Sequence, residues 1–239
     1  MLAGVPGSHK TRIVLNAIMN MGVTTKVFST DSDETTIESR ILARVTNTPT
    51  SVTEEWLRTD RDKAARLLAP YDFIDWDFRP DPTLDDIWHG LYAYHEMEGQ
   101  YPAQTVIDIA SDVGHDIGDE WGSLRDLMRQ SKVIARETGT HLLLVHHAAD
   151  SERTKKPCAR RSDIHGKIAA IPELIVTCGM TPSGDLHVAD VKNRHAPADA
   201  EANNHFPMHL DASTSLVSDY ISQPHAYAGG WDPDEREDW

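Results

Sequence analysis

A chain of 239 residues, 39% hydrophobic and 26% charged, suits one α/β domain with a single sizeable core. A formal net charge of −15 argues against a protein that coats nucleic acid with its whole surface, while leaving room for a local basic patch. No apolar run approaches a membrane span and no secretory signal pattern opens the chain, so a cytoplasmic protein is expected, and the spacing of Cys158 and Cys178 suits free thiols better than a disulfide framework or a zinc site.

The first feature is a glycine-containing turn at residues 4–9, followed by Ile13, Val14, Ala17, Ile18 and Met21 at the spacing of one helix face. Residues 26–30 (KVFST) predict a buried strand, and 33–45 a helix with Ile37, Ile41 and Leu42 inward. A further helical pattern covers 53–68. The alternation YDFIDWDF over 71–78 predicts a short strand, punctuated by Pro80 and Pro82. Thr83 then caps a helix that carries Leu84, Ile87, Leu91 and Tyr94 on one face.

Residues 104–110 (QTVIDIA) read as an apolar strand ending in acid, and 111–122 as a polar loop. A helix is expected over 123–138 and a buried strand over 140–146. A basic loop covers 148–163. Two late strands follow at 174–178 and 186–191, joined by the turn Thr181-Pro-Ser-Gly184. Strands alternating with helices predict a mostly parallel sheet with helices on both faces. We expect one domain over 1–221 and an acidic, disordered tail over 222–239. A phosphate-binding loop ordinarily follows a strand, and only Met1-Leu-Ala3 precede this one. Either the first strand is very short or the chain as given lacks part of its start.

Gly4-Val-Pro-Gly7-Ser-His-Lys10-Thr11 carries the sharpest chemistry. In the pattern GxxxxGK[ST], backbone N–H groups wrap phosphates, the lysine reaches the β- and γ-phosphates, and the hydroxyl ligates Mg²⁺. Gly4, Gly7, Lys10 and Thr11 fit, and the expected nucleotide-contacting run is Gly4, Val5, Pro6, Gly7, Ser8, His9, Lys10, Thr11 and Arg12. His9 stands where a glycine is expected, and is compatible with the loop where its backbone avoids φ > 0. The bland alternative is a glycine turn with a surface lysine. Val106-Ile-Asp108 ends an apolar strand, as a carboxylate holding magnesium beside such a loop should. The expected metal-holding pair is therefore Thr11 and Asp108. The thirteen histidines are scattered and none lies in an HExxH pattern, so no metal cluster is expected.

Five segments in order carry a resemblance to a known family. They are the phosphate loop; Phe28-Ser-Thr-Asp31 leading to Ile37 and Arg40-Ile-Leu42; Thr83-Leu-Asp-Asp-Ile87; Leu144-Val-His-His-Ala148; and Val191-Lys192-Asn-Arg194-His-Ala-Pro197. On these, the chain resembles the ATPase domain of DnaB-type replicative helicases and the smaller hexameric plasmid helicases of the RepA type, over roughly residues 1–217. The resemblance implies a RecA-like P-loop NTPase core that uses ATP and Mg²⁺. It matches Asp31 to the carboxylate that activates the attacking water, where the family usually has Glu. It matches His147 to a γ-phosphate sensor, and Lys192 and Arg194 to fingers that reach the nucleotide of a neighbouring subunit. With Lys10 and Asp108 these make the expected catalytic set. Lys192 and Arg194, two apart on a strand, are expected to project to one face. A site completed in trans implies a homo-oligomer, a hexamer or similar ring.

The loop after the sensor strand holds Arg153, Lys155, Lys156, Arg160, Arg161 and Lys167, the concentrated basic segment of an acidic chain. Such a loop can neutralise the phosphates of single-stranded DNA without reading sequence. The loop at 111–122 is acidic instead, with Asp112, Asp116, Asp119 and Glu120. The acidic tail, ending in Trp239, is a candidate contact for a replication or recombination partner. The leading expectation is an ATP-driven helicase core on single-stranded DNA. The alternatives are a recombination or loading ATPase that does not unwind, and a nucleotide-gated assembly protein with slow turnover.

Overall fold

The computed structural model describes residues 1–114, 120–149 and 156–219, apart from the side chains of Glu120, Trp121 and Lys167. Arg153, Lys155 and the expected tail over 222–239 lie outside the described residues. Within them the chain forms β1 (Leu2–Gly4), α1 (Lys10–Met21), β2 (Thr25–Ser29), α2 (Glu34–Thr46), α3 (Thr50–Thr59), α4 (Arg61–Leu68), β3 (Ile74–Asp77) and α5 (Leu84–Glu98). There follow β4 (Gln104–Asp108), α6 (Glu120–Thr138), β5 (His141–His147), β6 (Leu174–Met180), β7 (Leu186–Asn193), β8 (Phe206–Asp211) and β9 (Leu216–Asp219). The strands make one sheet in the order β3-β2-β4-β5-β1-β6-β7-β8-β9. The pairs from β3 through β6 are parallel, and β7, β8 and β9 extend the sheet antiparallel. The expected mostly parallel architecture is the one that forms.

Successive strand residues point to opposite faces, and the apolar runs read from the sequence feed two cores. On one face Phe28, Ile107 and Leu144 meet Ile87 and Leu91 of α5 and Leu124, Met128 and Ile134 of α6. On the other, Val27, Val106 and Val145 meet Val14, Leu15 and Ile18 of α1 and Ile37 and Ile41 of α2. Burying both faces leaves the strand ends as the exposed part of the sheet, which is where ligands meet α/β folds.

Local signals set the helix limits. Asp33 caps α2 by accepting the Thr36 N–H at 2.7 Å, and Thr83 with Asp86 closes a capping box on α5. The single helix expected over 53–68 is instead two, because Asp60 leaves helical geometry at φ −140° and caps α4 by accepting the Lys63 N–H at 3.2 Å.

The late part of the sheet also differs from expectation. Nothing in the sequence signals β8, which contains Pro207, or the four-residue β9. Both depend on a distant anchor. Asn16 of α1, 2% exposed, donates to Ser215 O at 2.8 Å, accepts the Val217 N–H at 3.1 Å, and accepts from Arg44 Nε at 2.6 Å. One buried amide thus ties α1, α2 and β9 together, and a buried amide is stable only with its partners made.

Candidate nucleotide site

β1 is three residues long and lies in the middle of the sheet, with Gly4 opposite His147 of β5 and Cys178 of β6. From Gly4 the chain turns through residues 5–9 into α1. Gly4 has no room for a side chain. A Cβ there would stand 2.5 Å from Ser8 Oγ and 2.6 Å from Cys178 O, so the loop packs directly on β6. His9 has φ 61° and ψ 27°, a left-handed conformation that favours glycine. The condition under which a side chain would leave the loop undisturbed, a backbone that avoids positive φ, is therefore not met. Histidine is one of the residues that tolerates this region, and the ring finds a local partner in Arg12 Nη1 at 2.6 Å. Burial, then the charges of Arg12 and Arg40, hold the His9 imidazole below its ordinary value, which suits a neutral acceptor.

Lys10 opens α1 and is 6% exposed. Its ammonium donates to Gly4 O at 3.2 Å and Val5 O at 3.1 Å, and lies 3.4 Å from Nδ1 of His147. Burial lowers its pKa, opposed by Cys178, Asp108 and Asp31. Asp108, at the end of β4, is 5% exposed, and its Oδ1 has no hydrogen-bond partner among the described residues. Burial raises its carboxyl to about 6, against the Thr11 hydroxyl, with Asp31 adding to the rise and Lys10 and Arg40 opposing it. A buried, under-satisfied carboxylate beside a hydroxyl is a setting that favours added positive charge. Thr11, Asp108 and the loop N–H groups fit Mg²⁺ with a nucleotide phosphate. Among the described residues no three His, Cys, Asp or Glu side chains gather as a metal site, so such an ion would take most of its ligands from phosphate and water.

Asp31 follows β2 and is exposed. Its position is set by register: Ser29 pairs with Asp108, and Thr30 donates its N–H to Asp108 O at 2.7 Å. The Thr30 hydroxyl also accepts the Ile109 N–H at 2.8 Å and reaches Asp112 Oδ2 at 3.0 Å. His147 closes the group, with its imidazole held below its ordinary value by burial and then Lys10, against Asp112 and Asp31. Lys10, Thr11, Asp31, Asp108 and His147 therefore share one end of the sheet.

Arg40 belongs there too, and sequence reasoning gave it no role beyond a motif match. It reaches Ser32 Oγ at 3.4 Å, and its charge acts on both His9 and Asp108. Its spacing from Ile37 and Ile41 was the available signal, since it marks Arg40 as the polar residue flanking the buried face of α2.

The remaining expected site residues lie elsewhere. Lys192 pairs with Ile175, three residues before the Cys178 that faces Gly4, so it sits about 10 Å along the sheet, away from its own phosphate loop. Its ammonium donates to Ala169 O at 3.0 Å and Ala170 O at 2.7 Å. Arg194 lies just past β7 and pairs with Glu173 at 2.7 Å. The two share this end of the sheet but hold different partners, because the ladder is irregular between Ile175 and Val176 and β7 ends at Asn193.

The basic loop is partly committed to structure. Lys156 donates to Glu201 O at 2.9 Å and Asn203 Oδ1 at 2.6 Å, and Arg160 pairs with Asp163 at 2.9 Å. Arg161 is exposed, and the side chain of Lys167 lies outside the described residues. Gly179 explains why this loop lies on β6: a Cβ there would come 1.7 Å from Pro157 O.

The arrangement is shared with solved structures. A DnaB-like replicative helicase, in a structure concerned with its interactions with primase, superposes with a TM-score of 0.75 and 12% identity over 91% of this chain and 57% of that one. A second solved structure, of an ATPase domain, gives 0.75 and 12% over 91% of this chain and 83% of that domain. The fold is that of DnaB-type, RecA-like ATPase domains. A KaiC-like protein of Pyrococcus horikoshii OT3 shares the RecA-like core at a TM-score of 0.62 and 13% identity, over 92% of this chain and 87% of that protein. The chain spans only 57% of the DnaB-like helicase, so that protein's other parts have no counterpart in the match. In sequence the chain is similar to the Gene 65 proteins of Mycobacterium phage D29 and Mycobacterium phage L5. Identity is 27% to each, over 90% of this chain and 96% and 83% of those proteins. No family model matches the chain. No helix among the described residues is long and apolar enough to cross a membrane.

Proposed function

We propose that the chain is an ATP- and magnesium-dependent motor on single-stranded DNA, a DnaB/RepA-like helicase core working as a homo-oligomer. The observation that carries this reading is the meeting of Lys10, Thr11, Asp31, Asp108 and His147 at one end of the parallel sheet, with Asp108 buried and one of its oxygens unpartnered among the described residues. In this reading the N–H groups of residues 4–12 cradle the phosphates, and Lys10 leaves the Gly4 and Val5 carbonyls to reach the terminal ones. Thr11 and Asp108 would hold Mg²⁺, whose charge would offset that of the β- and γ-phosphates. Asp31 orients the attacking water, and His147 donates to a γ-phosphate oxygen. Lys192 and Arg194, set away from their own loop, act on the site of a neighbouring subunit. Arg161, Lys156, Arg160, Lys167, Arg153 and Lys155 face the DNA backbone. The acidic tail contacts a replication or recombination partner.

One observation favours a second reading, a nucleotide-gated assembly with slow turnover. Asp31 is a methylene shorter than Glu and His9 holds the loop in a left-handed conformation, both departures in parts that set the hydrolysis rate. Magnesium-dependent ATP hydrolysis, measured with and without single-stranded DNA and with Lys10→Ala as control, separates the two. DNA-stimulated hydrolysis lost in Lys10→Ala supports the motor. Tight ATP binding with negligible turnover in both conditions sinks it.

A further inference from the structure

We infer that a groove cut into the sheet between β5 and β6 is the binding site of the chain's own segment 220–239. β5 and β6 are seven residues long, and β1 between them is three. Leu2 pairs with Val145 and Val176, and Met1 carries the ladder one step further. Its nitrogen donates to Leu174 O at 2.9 Å, and its carbonyl accepts the Val176 N–H at 3.0 Å. Beyond Met1 the two long strands run on with a strand's width between them. A cavity of about 660 Å³ opens there, at the end of the sheet remote from the phosphate loop.

The walls of this gap suit an extended segment. His141 donates its N–H to Ala103 O at 2.9 Å, on the β4 side, and alternation along β5 turns the N–H groups of Leu142 and Leu144 the other way, towards the gap. Leu2, Val14, Met128, Leu142, Leu144 and Leu174 give it an apolar lining. A strand added here gains main-chain partners at its edge and apolar contact from α1 and α6. The rim selects the charge of the occupant. Lys132 and Arg136 on α6, His141 at the start of β5 and His195 after β7 stand around the opening. Glu173, the acid among the lining residues, is shared between Arg194 at 2.7 Å and His195 at 3.5 Å. In a chain of net charge −15 an apolar groove with a basic rim is not a general surface property, and it suits an acidic peptide with apolar anchors.

This chain carries such a peptide, and it leaves the fold beside the groove. Residues 220–239, which lie outside the described residues, open with Tyr220 and Ile221 and continue through Tyr227 and Trp231. They end in a run that sets Asp232, Asp234, Glu235, Glu237 and Asp238 against Arg236. β9 runs along α1 away from the phosphate loop, with Ser215 at Arg12 and Val217 at Asn16, while Ile13, Val14 and Ala17 of the same helix line the groove. The segment therefore starts across one helix from the groove. Residues 220–239 reach about 60 Å when extended, far beyond a helix diameter of about 10 Å. The inference does not rest on the ATPase reading. A partner that takes the tail, as proposed above, has to draw it out of this groove.

The test follows amide hydrogen exchange by NMR in the full chain without nucleotide. The Leu142 and Leu144 amides are expected to be protected, and to exchange about tenfold faster or more in Tyr227→Ser with Trp231→Ser. Lys132→Glu with Arg136→Glu, both on exposed residues, should free these amides by the same factor, and adding Asp234→Lys with Glu235→Lys should restore protection. Rates unchanged in either the serine pair or the glutamate pair overturn the proposal, as does fast exchange of these amides in the unaltered chain. Faster exchange in β2 and β4 as well marks general loosening, and the restoring pair then decides: protection regained supports the groove, and protection not regained overturns it. Protection that grows with protein concentration, with dimers seen by light scattering, puts the tail of a second copy in the groove and overturns docking within one chain.

Discussion

Lys10 Nζ lies 3.4 Å from Nδ1 of His147, joining the first turn of α1 to the end of β5. The contact follows from register, since Gly4 and His147 are partners across β1 and β5 and Lys10 folds back over Gly4. His147 therefore stands where it can touch what Lys10 touches. His147→Ala is expected to keep MgATP affinity within about threefold while slowing hydrolysis about a hundredfold, the loss of one donor to developing charge. Equal losses in binding and turnover would assign His147 to ground-state binding instead.

Asp108 gives a prediction of opposite sign for stability and activity. Its folded carboxyl is raised from 3.8 to about 6, so the folded state binds the extra proton between those values. Stability without magnesium falls as pH rises through that window, and above it the cost is complete at about 3 kcal/mol. Asp108→Asn should therefore raise the melting temperature of the metal-free chain at pH 7 and leave it nearly unchanged at pH 4. The same change should abolish magnesium-dependent hydrolysis. Thermal melts at both pH values, beside an ATPase assay, check both halves.

His9 tests the backbone of the loop. His9→Gly removes the left-handed strain and the Arg12 contact together, and is expected to change stability by less than about 1 kcal/mol with ATP binding retained. His9→Val puts a β-branched residue at φ 61° and should cost about 2 kcal/mol and most of the ATP affinity. Urea melts and nucleotide titrations of the two variants distinguish a conformational requirement from one for the imidazole.

His146, next to His147 and 1% exposed, is a buried base held neutral by its surroundings. Burial, then His147, lowers its pKa from 6.5 to about 4. The unfolded chain binds the extra proton between those values, so stability is full above 6.5 and is lost as pH falls toward 4, by about 3 kcal/mol. His146→Gln should flatten that acid limb in urea melts taken from pH 7 to pH 4. An unchanged limb would place the acid sensitivity elsewhere.

Much of the fold was readable because its signals are local. The Thr83 cap, the apolar runs at β2, β4 and β5 and the spacing on α1 each act over a few residues. The break at Asp60 within the helical pattern over 53–68 is hidden for the opposite reason. A residue that ends one helix and starts the next leaves the apolar period intact on both sides, so periodicity alone runs through it. The strands β8 and β9 were invisible because their anchor, Asn16, is some two hundred residues away in sequence and looks like any polar helix residue. Arg40 escaped assignment because a charged residue beside an apolar face is ordinary until the neighbouring strand ends place carboxylates in front of it.

The α/β class, the glycine-containing turn over residues 4–9 and the order of the candidate residues along the chain were legible in the amino-acid sequence, because periodicity and motif spacing are properties of neighbouring residues. Which of those residues meet is a property of the folded chain. Parallel pairing of β1, β4 and β5 brought Asp108, His147 and Lys10 to one end, the antiparallel pairing of β6 with β7 set Lys192 and Arg194 at the other, and Lys156 and Arg160 were drawn into internal bonds. Register and burial are collective: they follow from how every strand packs against its helices, and no single segment encodes them.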